Sequence, residues 1–172
     1  MSTGPLDYPQ TDQATVNEGR GMRIAIAADH NGLALKARLI ARLTAQGHEV
    51  DDRGAHADGV TVDYPPLCAD VCGRVVDGHA DRAIVVGGSG MGEVIACNKI
   101  RGIRAGLCHD RFTTEISRAH NDANVIVIGA KVLSPELAEE IVDLWFTTRF
   151  KGGPHQQRLD QIALLERGEP LT

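Results

Sequence analysis

Five short apolar runs alternate with amphipathic segments along this chain, and that alternation most constrains its fold. The runs cover residues 23–28, the neighbourhood of Val50, and residues 83–86, 103–107 and 125–128. Near-continuous apolar strands separated by helices are typical of a parallel sheet covered on both faces. We therefore predict an α/β fold with a doubly wound five-stranded parallel sheet, strand order 2-1-3-4-5, and helices on both faces.

Helix signals separate the apolar runs. Leu35, Leu39 and Leu43 fall on one helical face, and Gly47 follows at a position where a left-handed cap is favoured. Ser134-Pro135-Glu136 has the order of cap, first-turn proline and first-turn acid that starts a helix. Further helices are predicted over about residues 64–76, 92–99, 110–120 and 154–166.

Length and composition favour one domain. A chain of 172 residues with 42% apolar content can bury one core, which we place in residues 22–172. Residues 1–21 are polar and without periodicity, so we expect a disordered N-terminal extension there. The net charge is −5 with no basic run, which argues against nucleic acid as a partner. No stretch is long and apolar enough for a membrane span or a signal peptide, so a cytoplasmic location is expected.

A glycine-rich loop follows the third apolar run. The sequence Gly-Gly-Ser-Gly-Met-Gly-Glu, residues 87–93, leads from a strand into a predicted helix. Its backbone N–H groups can converge on an anion, and Glu93 adds a carboxylate at the edge of that hole. The alternative is a tight turn in which Glu93 only caps the helix. The G-x-G-x-x-G fingerprint of dinucleotide sites is absent, both here and after the first strand.

Asp29 and His30 follow the first apolar run. In a 2-1-3 arrangement, the ends of strands one and three line the ligand crevice, so this pair is expected to face the glycine loop. The alternative is a strand-end turn, which Asp favours. The four cysteines form no CxxC pair, so we expect them to be buried and reduced, and we predict no metal site.

Several motifs together resemble one family. They are Ala28 to Gly32, Asp63-Tyr64-Pro65, Gly87 to Glu93, Asn98-Lys99, Gly102 to Ala105, Ser117 to Asn124 and His155 to Arg158. In this order they are similar to the type B ribose-5-phosphate isomerases, grouped with the galactose-6-phosphate isomerase subunits, over about residues 22–166. The resemblance implies a cofactor-free, usually dimeric aldose–ketose isomerase whose partner is a small-molecule sugar phosphate.

The resemblance also implies roles for individual residues. One branch of the family has a cysteine base just before the glycine loop and another has a glutamate just after it. Here Gly87 stands at the first position, so Glu93 is the expected base, with His120 assisting ring opening. The residues implied to bind substrate are Asp29, His30, Gly88, Ser89, Gly90, Met91, Gly92, Asn121, Lys131 and Arg158.

The expected phosphate ligands depart from the family. Three arginines commonly hold the phosphate there, and this chain has Lys131, Pro154 and Arg158 at those positions. Lysine keeps the charge without the two-pronged fit of arginine, and proline has no charge. Ribose 5-phosphate and ribulose 5-phosphate are the expected pair. A tetrose or hexose phosphate, or a non-catalytic phosphate-binding module, remains the alternative.

The predicted position of His120 has a consequence for assembly. A helix over residues 110–120 leads away from the crevice, which leaves His120 roughly 15 Å from the level of the glycine loop. Glu93 of the same chain is then out of its reach. His120 is either a helix-end histidine favoured by the dipole, or a residue lent to a partner's crevice in a two-fold homodimer with shared active sites.

Overall fold

The apolar runs form one parallel sheet in the computed structural model, which describes residues 21–171. Its strands are β1 (Arg23–Ala28), β2 (Glu49–Asp52), β3 (Arg82–Gly87), β4 (Ala105–Leu107) and β5 (Val125–Gly129). The helices are α1 (Leu33–Ala45), α2 (Tyr64–Val76), α3 (Met91–Cys97), α4 (Arg111–Ala119), α5 (Pro135–Thr147) and α6 (Pro154–Glu166). The predicted alternation and fold class are confirmed. The predicted extension, residues 1–21, lies outside the described residues except for Gly21.

The order of the last two strands differs from the prediction. The sheet runs β2-β1-β3-β5-β4, so β5 pairs with β3 and β4 lies at the edge. All five residues of β5 are buried, which requires a neighbour on each side and a helix on each face. β4 has only three residues, all of them half-buried, which suits an edge strand.

Alternate strand residues build a separate core on each face of the sheet. On one face, residues such as Ile26 and Ile126 pack with apolar side chains of α1 and α5, including the fully buried Trp145. On the other face, Val85 and Val127 pack with α2 and α3. The side-chain period of two along each strand therefore explains the helices on both faces.

The predicted helix signals and cysteine state agree with the structure. Gly47 has φ 88°, the left-handed conformation expected after α1. The Ser134 hydroxyl accepts a hydrogen bond from the Leu137 N–H at 3.2 Å, as an N-cap does. All four cysteines are buried and free.

Helix α6 differs from the other helices because none of its residues is buried. Ile162 and Leu165 on this helix are among the exposed large apolar side chains. One contact with the rest of the domain is a hydrogen bond of 2.9 Å from the N–H of Gly102, in the turn before β4, to the Glu166 carboxylate. Across residues 21–171, no helix combines the length and the apolar character needed to cross a membrane.

Candidate active site

The glycine loop turns tightly at the carboxyl end of β3. Gly90 has φ 80°, and a Cβ atom there would lie 2.6 Å from Cδ1 of Leu107. Across the loop, a Cβ atom on Gly129 would lie 2.7 Å from the Ser89 carbonyl oxygen. Both the backbone conformation and the close packing therefore require glycine.

The loop presents free backbone donors. The N–H groups of Gly88, Ser89, Gly90 and Gly92 donate to no acceptor within residues 21–171, whereas the Met91 N–H reaches the Ser89 hydroxyl at 3.3 Å. Unpaired N–H groups on consecutive residues form a concave surface that suits a negatively charged oxygen. The loop can therefore stabilise an oxyanion without any cationic side chain.

The Glu93 side chain lies under this loop and is only 4% exposed. Its carboxyl group occupies the space beside Gly87, where a Cβ atom would overlap it. Gly87 is thus the residue that makes room for Glu93. A side chain at position 87 and the observed Glu93 conformation exclude each other.

Burial changes the acidity of Glu93. Its pKa is raised above the ordinary 4.5, chiefly because burial disfavours the charged carboxylate and also because the Asp29 carboxylate is near. A hydrogen bond from its own backbone N–H acts in the opposite direction. A first-turn glutamate would ordinarily be a weakened base, but desolvation outweighs that effect here and makes the carboxylate a stronger proton acceptor.

Asp29 and His30 lie at the neighbouring strand end. Asp29 is buried, and its two oxygens accept hydrogen bonds from the Asn31 backbone N–H at 2.8 Å and the Asn31 side-chain amide at 2.9 Å. Gly88 packs against that amide, since a Cβ atom there would lie 3.4 Å from it. His30 is exposed. The pair thus forms the strand-end turn and also borders the glycine loop. The interpretation as a turn and the interpretation as part of the crevice are therefore compatible.

Lys131 completes this end of the sheet. Its backbone N–H donates to the Gly88 carbonyl at 2.9 Å, and its side chain is exposed. The structure therefore brings nine of the predicted site residues together where the parallel strands end, which we call the carboxyl edge of the sheet. They are Asp29, His30, Gly88, Ser89, Gly90, Met91, Gly92, Glu93 and Lys131.

The other three predicted residues lie where the strands begin, which we call the amino edge of the sheet. His120 ends α4, and the nearby Asn124 carbonyl accepts from the N–H of Ala83, at the beginning of β3. From Ala83 to Gly87 the strand advances about 13 Å at 3.3 Å per residue. The His120 ring stacks on His155 with 3.8 Å between centroids, and Arg158 lies 3.2 Å from the same His155. His120, Asn121 and Arg158 are therefore kept apart from Glu93 within one chain.

Known proteins with this sequence pattern decide the family. A sequence model of the ribose/galactose isomerase family matches residues 24–162. The chain belongs to this family. It is accordingly an aldose–ketose isomerase of a phosphorylated sugar.

Individual relatives agree with this chain in length and structure. The ribose-5-phosphate isomerase B of Escherichia coli K12 is 41% identical over 84% of this chain and 97% of its own. The D-erythrulose-4-phosphate isomerase of Pectobacterium atrosepticum is 35% identical over 86% of this chain and 97% of its own. The structure of Clostridium thermocellum ribose-5-phosphate isomerase B is 41% identical, with a TM-score of 0.84 over 86% of this chain and 99% of that one.

Two neighbours of the site belong to the motifs quoted above but were given no role there. His155 stacks on His120, and its pKa is lowered by loss of solvent contact and by the nearby charges of His120, Arg158 and Lys151. The Tyr64 hydroxyl fills the space beside Gly92 that a side chain there would need. Their positions in the sequence could have indicated both residues. His155 lies one helical turn before Arg158, and Tyr64 begins α2, the helix that packs on α3.

One histidine outside the predicted site has a buried ring nitrogen. Nε2 of His109, just beyond β4, is buried without a hydrogen-bond partner among residues 21–171. The cysteines Cys68, Cys72 and Cys97 lie together in the core between α2 and α3. In the described part of the chain, no group of three or more His, Cys, Asp or Glu residues is arranged to hold a metal ion.

Proposed function

We propose that this family member interconverts ribose 5-phosphate and ribulose 5-phosphate without a cofactor, with Glu93 as the base. The observation that carries the proposal is a buried carboxyl group of raised pKa beneath four unpaired backbone N–H groups. Aldose–ketose isomerisation needs both parts at once. A base must move a proton between C2 and C1, and a donor array must stabilise the enediolate formed between the two steps.

The proposed reaction begins on the open-chain aldose. Glu93 removes the proton from C2, and the electrons of that C–H bond form the C1–C2 double bond while the C1 oxygen takes negative charge. The N–H groups of the glycine loop hold that oxygen, a contribution of roughly 3–4 kcal/mol per donor in comparable sites. Protonated Glu93 then returns a proton to C1, and the O2 proton moves to O1 to leave the ketone at C2.

Asp29, His30 and Lys131 are proposed to bind the sugar and its phosphate from the same edge. The exposed His30 and Lys131 side chains flank the loop and can reach a bound molecule. Asp29 is held by Asn31, so its charge is fixed beside the reacting carbons. This charge also favours the neutral, proton-carrying form of Glu93 after the first step.

The remaining ligands are proposed to come from a second copy of the chain. His120, Asn121 and Arg158 lie at the far edge of their own sheet, so a two-fold dimer would let each subunit offer them to its partner's crevice. The lack of buried residues in α6 and the exposed Ile162 and Leu165 support an unpaired surface there. Sedimentation should show a dimer at assay concentration, and a monomer with undiminished activity would contradict the shared site.

A different sugar length is the second candidate. The relative from Pectobacterium atrosepticum acts on a four-carbon sugar phosphate and shares 35% identity. Lys131 and Pro154 stand where the family commonly has phosphate-binding arginines. Both observations favour testing a tetrose or hexose phosphate beside the pentose.

The deciding experiment is an isomerisation screen over four-, five- and six-carbon sugar phosphates in deuterated water. We expect the highest kcat/KM with ribose 5-phosphate and solvent deuterium at C1 or C2 of the recovered sugars. Glu93→Gln, assayed in parallel, should lose both turnover and exchange. A clear preference for a tetrose or hexose phosphate would replace the pentose proposal. Binding without any exchange would leave only a phosphate-ligand module.

A further inference from the structure

The turn that carries His120 and Asn121 has an unusual backbone. The next residue, Asp122, has φ 43°, and it is the one non-glycine residue with positive φ within residues 21–171. Such a conformation costs energy for residues other than glycine, although Asp tolerates it better than most. A strained residue persists only where its surroundings hold it in place. The contacts of Asp122 therefore indicate what the turn is for.

Arg104 holds the turn from one side. Its guanidinium donates through Nε to the carbonyl oxygens of Asn121 at 3.1 Å and Asp122 at 3.0 Å. Through Nη2 it donates to the same Asp122 carbonyl at 2.8 Å and to the Asp122 carboxylate at 2.9 Å. One planar side chain thus fixes two consecutive peptide groups and a carboxylate, which a lysine could not do.

Arg118 holds the turn from the other side. Its Nη1 donates to the second carboxylate oxygen of Asp122 at 2.7 Å and to the Ala123 carbonyl at 2.7 Å. This arginine is only 6% exposed, and its guanidinium lies 5.5 Å from the ring centroid of Trp145. Because Arg118 is buried, the Asp122 carboxylate cannot move away without leaving a buried charge without its ion pair.

A third arginine makes the carboxylate harder to replace. The pKa of Arg82 is lowered to about 10, chiefly by burial and then by the charges of Arg118 and Arg104, while the Asp122 charge acts in the opposite direction. The Asp122 carboxylate contacts Arg104 and Arg118, and its charge also offsets the repulsion that these two arginines exert on Arg82. Without the carboxylate, repulsion among the positive charges would weaken the hold on the turn.

We propose that Asp122, held between Arg104 and Arg118, is a positioning residue that fixes His120 and Asn121 for use in the partner subunit's crevice. The inference rests on the proposed function and its shared active site. Both arginines donate their hydrogen bonds to the turn itself. Their contribution is to hold the two residues before Asp122 in one geometry, and a displacement of about 1 Å at such a group can cost a hundredfold in rate.

The first test is Asp122→Asn, which keeps the size and the tolerance of positive φ but removes the charge. We expect kcat/KM on the best sugar phosphate to fall roughly 10- to 100-fold. Asp122→Gly should show a similar loss, because it relieves the backbone but has no carboxylate. The matched control is Asp70→Asn on α2. It breaks the ion pair between Asp70 and Arg53 and should leave activity within about twofold.

Mixing experiments separate positioning from general damage. In a shared-site dimer, Asp122→Asn mixed with Glu93→Gln gives one site with both halves intact, so activity should rise well above that of either variant. Asp122→Asn mixed with His120→Ala should show no gain, because both changes damage the same half. Recovery in the second mixture and none in the first would overturn the proposal, as would a fully active Asp122→Asn enzyme.

Two further outcomes can be distinguished, namely an Asp122→Asn variant that does not fold and a wild-type enzyme without activity. If Asp122→Asn does not fold, Arg104→Gln tests the same prediction, since it leaves the Asp122–Arg118 pair in place and should also lower kcat/KM. Full activity of that variant would then overturn the inference. A wild-type enzyme without activity on any sugar phosphate would instead contradict the proposed function.

Discussion

The two edges of the sheet hold their candidate site residues by different means. At the carboxyl edge, the groups are backbone N–H donors and one buried carboxylate, fixed by glycines and by packing. At the amino edge, they are imidazole, amide and guanidinium groups that are half-buried or exposed. Ion pairs of Asp122 hold the turn that carries His120 and Asn121, whereas Arg158 lies on α6 beside His155. The residues of the carboxyl edge lie together within one chain, whereas those of the amino edge would meet a substrate only in the proposed dimer.

This difference assigns different work to the two edges. A desolvated carboxylate near a donor array can transfer protons and stabilise an enediolate. Exposed cationic and imidazole groups suit the recognition of a charged, solvated ligand. Changes at the carboxyl edge should therefore act mainly on turnover. At the amino edge, changes at the phosphate-binding positions should act mainly on binding, whereas loss of His120, which is proposed to assist ring opening, should also lower turnover.

The largest effect is expected at Glu93. Glu93→Gln keeps size and hydrogen bonding but removes the base, so kcat should fall by roughly 10²–10⁴ with little change in KM. The control is Glu136→Gln, another first-turn glutamate, at the start of α5, which should retain normal turnover. Near-normal kcat for Glu93→Gln would show that Glu93 is not the base.

A second change tests whether Gly87 makes room for that base. Gly87→Ala places a methyl group in the space of the Glu93 carboxyl, so the carboxyl must move and kcat should fall roughly 10- to 100-fold. Gly73→Ala is a matched control in α2, where a Cβ atom meets nothing within 4 Å. It should leave kcat unchanged and raise the thermal midpoint slightly. Equal kinetics for the two variants would show that Gly87 has no such role.

At the amino edge, Pro154→Arg adds a charge to the start of α6 near His155 and Arg158. If ribose 5-phosphate is the substrate, its KM should fall about 3- to 10-fold with similar kcat, because one charge-assisted hydrogen bond to phosphate is gained. Steady-state kinetics on the pentose measure this directly. Loss of activity on the best sugar of the screen would instead mean that Pro154 makes room for a differently shaped substrate.

The smallest expected effect concerns stability. The raised pKa of Glu93 means that the folded state holds its ionised carboxylate at a cost, which is present above the folded pKa and absent below the ordinary value of 4.5. Glu93→Gln should therefore have a higher thermal midpoint than the wild type at pH 7–8, and the two should converge near pH 4. A variant less stable at pH 8 would contradict the desolvation of Glu93.

Local sequence patterns predicted most of the fold. Apolar runs, caps and glycines predicted the elements, and the strand ends predicted which residues border the crevice. The exchange of β4 and β5 was missed because the common doubly wound order 2-1-3-4-5 was assumed. The difference between the fully apolar run at residues 125–128 and the shorter β4, which includes Gly106, was the available signal.

Long-range contacts explain what the sequence did not predict. The burial of Glu93 depends on Gly87 and on helix packing, so its raised pKa could not be inferred from its helix position. Asp122 belongs to one of the quoted family motifs, but no role could be predicted for it, because its partner Arg104 lies 18 residues earlier in the chain. Side-chain geometry between distant segments was needed in both cases.

The division of the site between two subunits is tested most directly by mixing Glu93→Gln with His120→Ala, each nearly inactive alone. Random pairing makes half of the dimers mixed, and each mixed dimer has one intact site of two. Activity should therefore return to about a quarter of the wild-type value once subunits have exchanged. If activity stays at the level of the separate variants after exchange is verified, Glu93 and His120 do not act together across the dimer.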